Sequence, residues 1–406
     1  MNSTFCRLKR SISCIVIGII LSGITWSCSS IRHEAETASI LIDSVKSERI
    51  PDSRVALFSI EAAGSRQGVV LKGKTTEPEV LIQLLELLKE KKIQYIDSVL
   101  RLPDEKLGDL TWGLVTISVA NIRYKPAHSA EMATQALMGT PLQVLQEENG
   151  WYLVRTPDQY ISWTESAGIT TMNEQQHQNW ITNPRIIFIE DNGLVLSLPD
   201  ASSEPVSDIV MGGILSVMNN GENPGGFTGV SLPDGRKGYL PANQVRIFTD
   251  WLRAESTGSE HLTTLARRFM GRPYLWGGTS TKGFDCSGFT KTLYFMNGWV
   301  LSRDASQQVN QGSEVGMKGD WRNLQPGDLL FFGRKATAEK PERATHVGLY
   351  EGDSFFIHCS GMVKINSLDS IRPDYKKYYT ENLLHVKRIL NSDSQPVRIT
   401  DHPWYN

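Results

Sequence analysis

Gly283-Phe284-Asp285-Cys286-Ser287-Gly288-Phe289 stands where a loop gives way to a helix. Upstream, Gly271-Arg272-Pro273-Tyr274-Leu275-Trp276-Gly277-Gly278 runs into a Gly- and Ser-rich loop. Downstream, Phe289, Leu293 and Met296 recur at helical spacing until Gly298. The pattern predicts a helix with Cys286 in its first turn and Asp285 as its N-cap. Unpaired amides and the positive dipole end favour thiolate over thiol at such a position. An isolated cysteine there is more often simply packed, so the segment needs a partner.

Further along, Thr345-His346-Val347-Gly348-Leu349-Tyr350 and Ser354-Phe355-Phe356-Ile357-His358 flank the tight turn Glu351-Gly352-Asp353. With Gly352 as the centre, His346 and His358 fall directly opposite one another. Opposed residues in a hairpin have Cβ atoms about 4.5–5.5 Å apart on one face, so one imidazole can hold the other. A nucleophile needs a base, and the base needs a group that fixes its tautomer. Cys286, one histidine as base and the other as orienter meet that need; spacing does not say which histidine is which. His33, His128, His177, His261, His385 and His402 have no such context.

An amphipathic helix with Leu262, Leu265, Ala266 and Phe269 on one face, stopped by Gly271, opens this reactive domain, expected over 255–395. Before it lies a repeat. Gly139-Thr140-Pro141-Leu142-Gln143-Val144, Trp151-Tyr152-Leu153-Val154, Pro157-Asp158 and Tyr160 to Trp163 are echoed by Gly213-Ile214-Leu215-Ser216-Val217, Gly229-Val230, Pro233-Asp234-Gly235 and Gly238-Tyr239-Leu240. Short strands and turns in two copies predict two small β-barrels, over 112–170 and 180–250. Residues 51–111 read as a small β-β-α-β unit. Its strands are expected near 55–60, 69–71 and 94–100, and its helix over 77–90 with Thr76 as cap.

At these residues the sequence resembles the NlpC family of cell-wall cysteine peptidases. Pro273 to Gly278, Phe284 to Phe289, Leu324-Gln325-Pro326-Gly327-Asp328-Leu329-Leu330-Phe331-Phe332 and His346 to Tyr350 match in order and spacing. The resemblance implies a multidomain α+β chain: a papain-like catalytic domain preceded by two SH3-like barrels and a small N-terminal α/β unit. It also implies Cys286 as nucleophile, His346 as base, His358 as orienter and Tyr274 as an oxyanion stabiliser. The domain order is similar to that of γ-D-glutamyl-L-diamino acid endopeptidases, which cut peptidoglycan stem peptides bearing a free N-terminal L-alanine. By that likeness Glu131 and Tyr160 of the first barrel hold the ammonium, and Trp276, Asp285, Ser287 and Ser306 contact the L-Ala-D-Glu portion. Ser162 departs from the pattern, which has glycine before this tryptophan. A non-catalytic wall-binding module, an amidase or acyltransferase with the same triad, and a murein endopeptidase acting on intact cross-linked wall are the rival readings.

Composition narrows the class. The 406 residues are 40% hydrophobic and 21% charged, enough apolar content for packed domains. With 42 basic against 44 acidic residues, no strong field exists to hold a polyanion, so a nucleic-acid partner is not expected. Arg7, Lys9 and Arg10 precede an apolar run over 12–24, too short to span a bilayer, that ends at Ser27-Cys28. This resembles a lipoprotein signal over 1–28, with Cys28 lipidated and 29–50 a polar tether. The expectation is a monomeric envelope lipoprotein, facing the periplasm, that acts on muropeptides. Cys6 and Cys14 leave with the signal, and Cys359 reads as a buried strand residue rather than a disulfide partner. No metal or organic cofactor is expected, because no third ligand stands at suitable spacing near the hairpin.

Overall fold

The structure, a computed structural model, describes residues 31–218, 224–254, 258–316, 321–392 and 394–406. The leader expected over 1–28, with Cys28, lies outside them. The chain divides into two compact units, one ending at Glu105 and the other beginning at Lys106.

In the first unit, residues 31–49 form helix α1, where the sequence reading has a tether. Ala35, Ala38, Ile42 and Val45 follow one another at three- and four-residue steps and make an apolar stripe on an otherwise charged helix. Ala38, Ile42 and Val45 are buried in the unit's core. β1 (Phe58–Ser65), β2 (Gly68–Thr75), α2 (Pro78–Glu90) and β3 (Tyr95–Arg101) follow. β1 runs antiparallel and β3 parallel to the central β2. α2 buries Leu81, Leu84 and Leu88, and its N-cap is Glu77 rather than Thr76. The Thr75 hydroxyl accepts the Glu77 amide hydrogen instead.

The second unit opens with β4 (Trp112–Val115), β5 (Val119–Arg123), β6 (Met132–Leu137), β7 (Pro141–Glu148), β8 (Trp151–Arg155), β9 (Ile161–Glu165) and β10 (Ile169–Met172). They form one sheet in the order β10-β4-β7-β8-β9-β5-β6. Helix α3 (Glu174–Thr182) follows, started by a capping box between Asn173 and Gln176. Position 180, expected to open the second barrel, is therefore helical. Next come β11 (Arg185–Phe188), β12 (Asn192–Leu196), β13 (Pro205–Val210), β14 (Ile214–Val217), β15 (Phe227–Ser231), β16 (Lys237–Pro241) and β17 (Val245–Ile247). Their order, β17-β11-β14-β15-β16-β12-β13, reproduces the first sheet strand for strand.

The remainder holds α4 (Phe248–Ala254), α5 (Ser259–Arg268), β18 (Thr279–Ser280), β19 (Gly283–Phe284), α6 (Cys286–Phe295), β20 (Trp299–Val300), α7 (Ala305–Gln308) and β21 (Ser313–Glu314). β22 (Leu329–Arg334), β23 (Arg343–Gly352), β24 (Phe355–Ser360), β25 (Met362–Ser367), α8 (Lys377–Asn382), β26 (Leu383–Arg388) and β27 (Val397–Arg398) complete it. The main sheet has the order β21-β26-β22-β23-β24-β25. Val347, Leu349, Ile357, Cys359 and Val363 share a core with Phe289 and Leu293 of α6. Leu330, Phe332, Tyr350 and Phe356 share another with Tyr379 of α8.

Both barrels are tied to this domain. The Thr279 amide and the Ser280 hydroxyl each donate to Gln135 Oε1 of β6 at 3.0 Å. Arg268 pairs with Glu190 and Asp191, Arg272 with Asp191, and Lys282 with Asp208. Among the described residues no helix is long and apolar enough to cross a membrane.

Candidate active site

α6 starts at Cys286 because Asp285 caps it: Oδ1 accepts the Gly288 amide hydrogen at 2.7 Å. The same carboxylate accepts from the Gly277 amide at 3.0 Å and from Arg303 Nη2 at 2.6 Å. Arg303 is 1% exposed and also donates to Ser287 Oγ at 3.1 Å. Asp285 and Ser287 are themselves buried, and these bonds make them a brace for the helix start. The sequence reading has both as substrate contacts and does not single out Arg303, which reaches Asp285 across helix α6 and strand β20.

Cys286 and Cys359 are free and buried, and the Cys359 thiol donates to the Phe284 carbonyl at 3.1 Å. Burial first, and the Asp285 charge second, push the Cys286 thiol up to about 12. The Val347 and Ser287 amides and Arg303 pull the other way and lose. The helix-start argument for a resting thiolate is thus reversed by desolvation. The Val347 amide reaches the thiol past the point where the β23–β24 ladder ends, at Leu349 opposite Ile357.

That ladder corrects the expected hairpin register. Leu349 faces Ile357, Tyr350 faces Phe356 and, after a bulge at Glu351, Gly352 faces Phe355. The turn residues are Asp353 and Ser354, at φ 48° and 69°. Continued inward, this register sets His358 across from Gly348, two residues from the expected partner. A shift of two preserves the face, so the imidazoles still meet, as diagonal neighbours. Glycine at 348 makes room: a Cβ there would lie 3.1 Å from the His358 Cβ and 2.9 Å from Phe356 Cδ2.

His346 Nε2 lies 2.8 Å from His358 Nδ1, and His358 Nε2 lies 2.8 Å from Asn366 Oδ1. Burial holds His346 down to about 3, helped by His358 and Lys364, and holds His358 down to about 4. Both rings are therefore neutral at neutral pH, and Nδ1 is the His346 nitrogen left to face a thiol. Tyr379 packs with its ring centroid 4.9 Å from that of His358 and 5.9 Å from that of His346. Half-buried Tyr274 is tied to Gly361 O through its amide at 2.9 Å. Its hydroxyl is kept protonated by burial and by the proximity of Cys286, so it is an O–H donor beside the sulfur.

The first barrel meets the peptidase beside this region. Trp276, 60% exposed, donates its indole N–H to Glu131 Oε1 at 2.8 Å. Gly277 is required next to it, since a Cβ there would lie 2.7 Å from the Met132 carbonyl oxygen. Buried Tyr160 lies 3.0 Å from the Tyr124 hydroxyl and donates to Asp304 Oδ2 at 3.3 Å. Ser162, where glycine was expected, donates its hydroxyl to the Arg123 carbonyl at 2.6 Å. Ser306 sits on α7, two residues beyond Asp304, and it is Asp304 that meets Tyr160. The sequence reading does not single out Asp304, Asn366 or Tyr379, because their partners are set by packing and register rather than by spacing along one element. Among the described residues no group of three or more His, Cys, Asp or Glu side chains is placed to hold a metal.

A helix-start thiol set against two linked imidazoles on a sheet defines a papain-like cysteine peptidase. Residues 271–388 match the NlpC/P60 family, and residues 122–169 match the bacterial dipeptidyl-peptidase Sh3 domain. Dipeptidyl-peptidase 6 of Lysinibacillus sphaericus is 30% identical over 277 residues, covering 65% of this chain and 94% of the relative. The γ-D-glutamyl-L-lysine dipeptidyl-peptidase of Bacillus cereus is 28% identical over 236 residues, 56% of this chain and 67% of the relative. A crystal structure of an NlpC/P60 family protein from Bacillus cereus shares the fold, with TM-score 0.57 and 23% identity over 68% of this chain and 99% of that one. The chain belongs to the NlpC/P60 family and is a cysteine peptidase that hydrolyses peptidoglycan.

Proposed function

We propose that the enzyme cuts the bond between γ-D-glutamate and the L-diamino acid in stem peptides whose N-terminal L-alanine is free. The observation that carries this reading is the contact of the first barrel with the peptidase beside the Cys286 loop. Glu131 of the barrel touches Trp276 of the peptidase, and Tyr160 touches Asp304. A carboxylate and a phenol there suit an ammonium, and acetylation would remove the counter-charge that Glu131 would gain from the substrate. The name of the Bacillus cereus relative agrees with such a bond.

In this reading Cys286 is the nucleophile, His346 the base and His358 its orienter. The thiol gives its proton to His346 Nδ1 as sulfur attacks the γ-carbonyl carbon, and the carbonyl oxygen becomes an oxyanion facing the Tyr274 hydroxyl and the α6 amides. His346 returns that proton to the leaving amine of the diamino acid as the C–N bond breaks. A water then loses a proton to His346, attacks the thioester carbon and releases the dipeptide acid and the thiol. Trp276 lines the peptide. The apolar run ending at Cys28 further suggests a lipid-anchored envelope enzyme with muropeptides within reach of the domains.

The test is mass spectrometry of products from defined stem peptides. Release of L-Ala-γ-D-Glu from the free-amine peptide, and little from its acetylated form, is expected. Equal cleavage of both would remove the ammonium from the mechanism.

A further inference from the structure

Asn366 lies on β25, 5% exposed, and uses both ends of its amide. Its Nδ2 donates to the Asp374 carbonyl at 2.6 Å, and its Oδ1 faces His358 Nε2 at 2.8 Å. We propose that Asn366 is a positioning residue that sets the tautomers of both imidazoles and thereby makes His346 a base.

A neutral imidazole carries one N–H, so each bond dictates the next. Because Oδ1 accepts, His358 holds its hydrogen on Nε2 and offers Nδ1 as an acceptor. His346 Nε2, 2.8 Å away, must then donate. That leaves His346 Nδ1 with a bare lone pair for the thiol proton. Reversing the amide would set two carbonyl oxygens against each other at the Asp374 contact. It would also move the hydrogen of His358 to Nδ1 and that of His346 to Nδ1, turning the base into a donor. The backbone of the loop after β25 thus reaches the reacting nitrogen through three side chains. Lys364 from β25 also bears on the pair, Tyr379 from α8 packs against both rings, and the charge of Cys286 on α6 reaches Tyr379.

The inference rests on Cys286 and His346 acting as nucleophile and base, but not on which peptide is cut. Its test therefore includes alkylation of Cys286 by iodoacetamide across pH, with no substrate present. Asn366→Leu, similar in size and without an acceptor, should lower kcat and the alkylation rate about ten- to a hundredfold while KM stays within twofold. Asn366→Asp keeps an acceptor and adds a negative charge that favours the imidazolium. It should retain most of the rate at alkaline pH, with the acidic limb of both profiles displaced upward by about one pH unit. Wild-type kcat and alkylation profiles in the Leu variant would overturn the inference. If the Leu variant does not fold, an unmoved acidic limb in Asn366→Asp overturns it alone. Altered alkylation with no cleavage of D-glutamyl peptides by the wild type would instead sink the substrate reading and leave the role of Asn366 standing.

Discussion

In the first barrel the residues just before β6 and β9 are Glu131 and Tyr160; before the matching strands β13 and β16 of the second they are Glu204 and Arg236. Glu131 and Tyr160 meet Trp276 and Asp304 of the peptidase. Arg236 instead binds Asp234 and the carbonyls of Val206 and Thr116. A guanidinium where the first barrel has a phenol repels an ammonium. The second barrel meets the peptidase through Glu190, Asp191 and Asp208, each paired with an arginine or lysine. One strand order thus carries two tasks, because the chemistry resides in the loop ends and not in the ladder. In the proposed reading the first barrel supplies a wall for the substrate; the second braces the segment that bears Arg272 and Lys282.

The largest expected effect belongs to neither barrel and sets the scale for both. Cys286→Ala should abolish turnover in a folded protein, since only the thiol is removed. Hydrolysis above the uncatalysed rate in that variant would sink the thiol mechanism.

The comparison itself is broken or kept by a matched pair of variants. Glu131→Gln should lower kcat/KM for free-amine peptides roughly ten- to a hundredfold, the value of a charge-assisted hydrogen bond of about 1.5–3 kcal/mol. Glu204→Gln should leave it unchanged. Acetylating the substrate should cost the wild type at least as much as Glu131→Gln does and cost the Glu131 variant much less, because both changes remove one contact. Equal losses in the two variants, or losses that simply multiply, would erase the distinction between the barrels.

How far such contacts were legible depends on their range. The capped helix start at Cys286 follows from neighbours within four residues, and the resemblance recognised it directly. The hairpin face was legible and its register was not, because two turn residues with positive φ and a bulge at Glu351 move the centre of the turn. Helix α1 is hidden in the sequence because Ala35 and Ala38 add little to its hydropathy, although they fall on one stripe with Ile42 and Val45. Arg303 and Asn366 are polar side chains that the fold buries; helix α6 and strand β20 stand between Arg303 and Asp285, and the β24–β25 turn between Asn366 and His358. The opposite error occurs at Cys286: the helix terminus is local and visible, whereas the desolvation that outweighs it is a property of the assembled domain.

Acid should destabilise the peptidase through its buried histidine pair. Burial holds His346 and His358 down to about 3 and 4, whereas in the unfolded chain they take up protons near about 6.5. Between those values the unfolded state binds more protons, so stability rises with pH through the window and is lost as pH falls below about 6.5. Melting temperature should therefore drop on going from pH 7 to 4.5, and drop less in His358→Gln than in the wild type. Parallel pH curves for the two proteins would place the acid sensitivity elsewhere.

The smallest effect is expected at the brace of the second barrel. Asp191 pairs with both Arg268 and Arg272, its side chain 23% exposed and theirs 37% and 31%. Exposure of that degree screens the charges, so the network contributes on the order of 1 kcal/mol rather than the several of a buried pair. Asp191→Asn keeps a carbonyl that can accept from one guanidinium, and Arg272 retains its bond to the Thr281 carbonyl at 3.0 Å. Melting should fall by only about 2–4 °C, with kcat/KM for free-amine peptides within twofold of wild type. The small size of the change is what makes it diagnostic. A loss of kcat/KM as large as that of Glu131→Gln, at unchanged melting temperature, would mean that the second barrel shapes the cleft through Arg272, and the division of labour between the two sheets would fail.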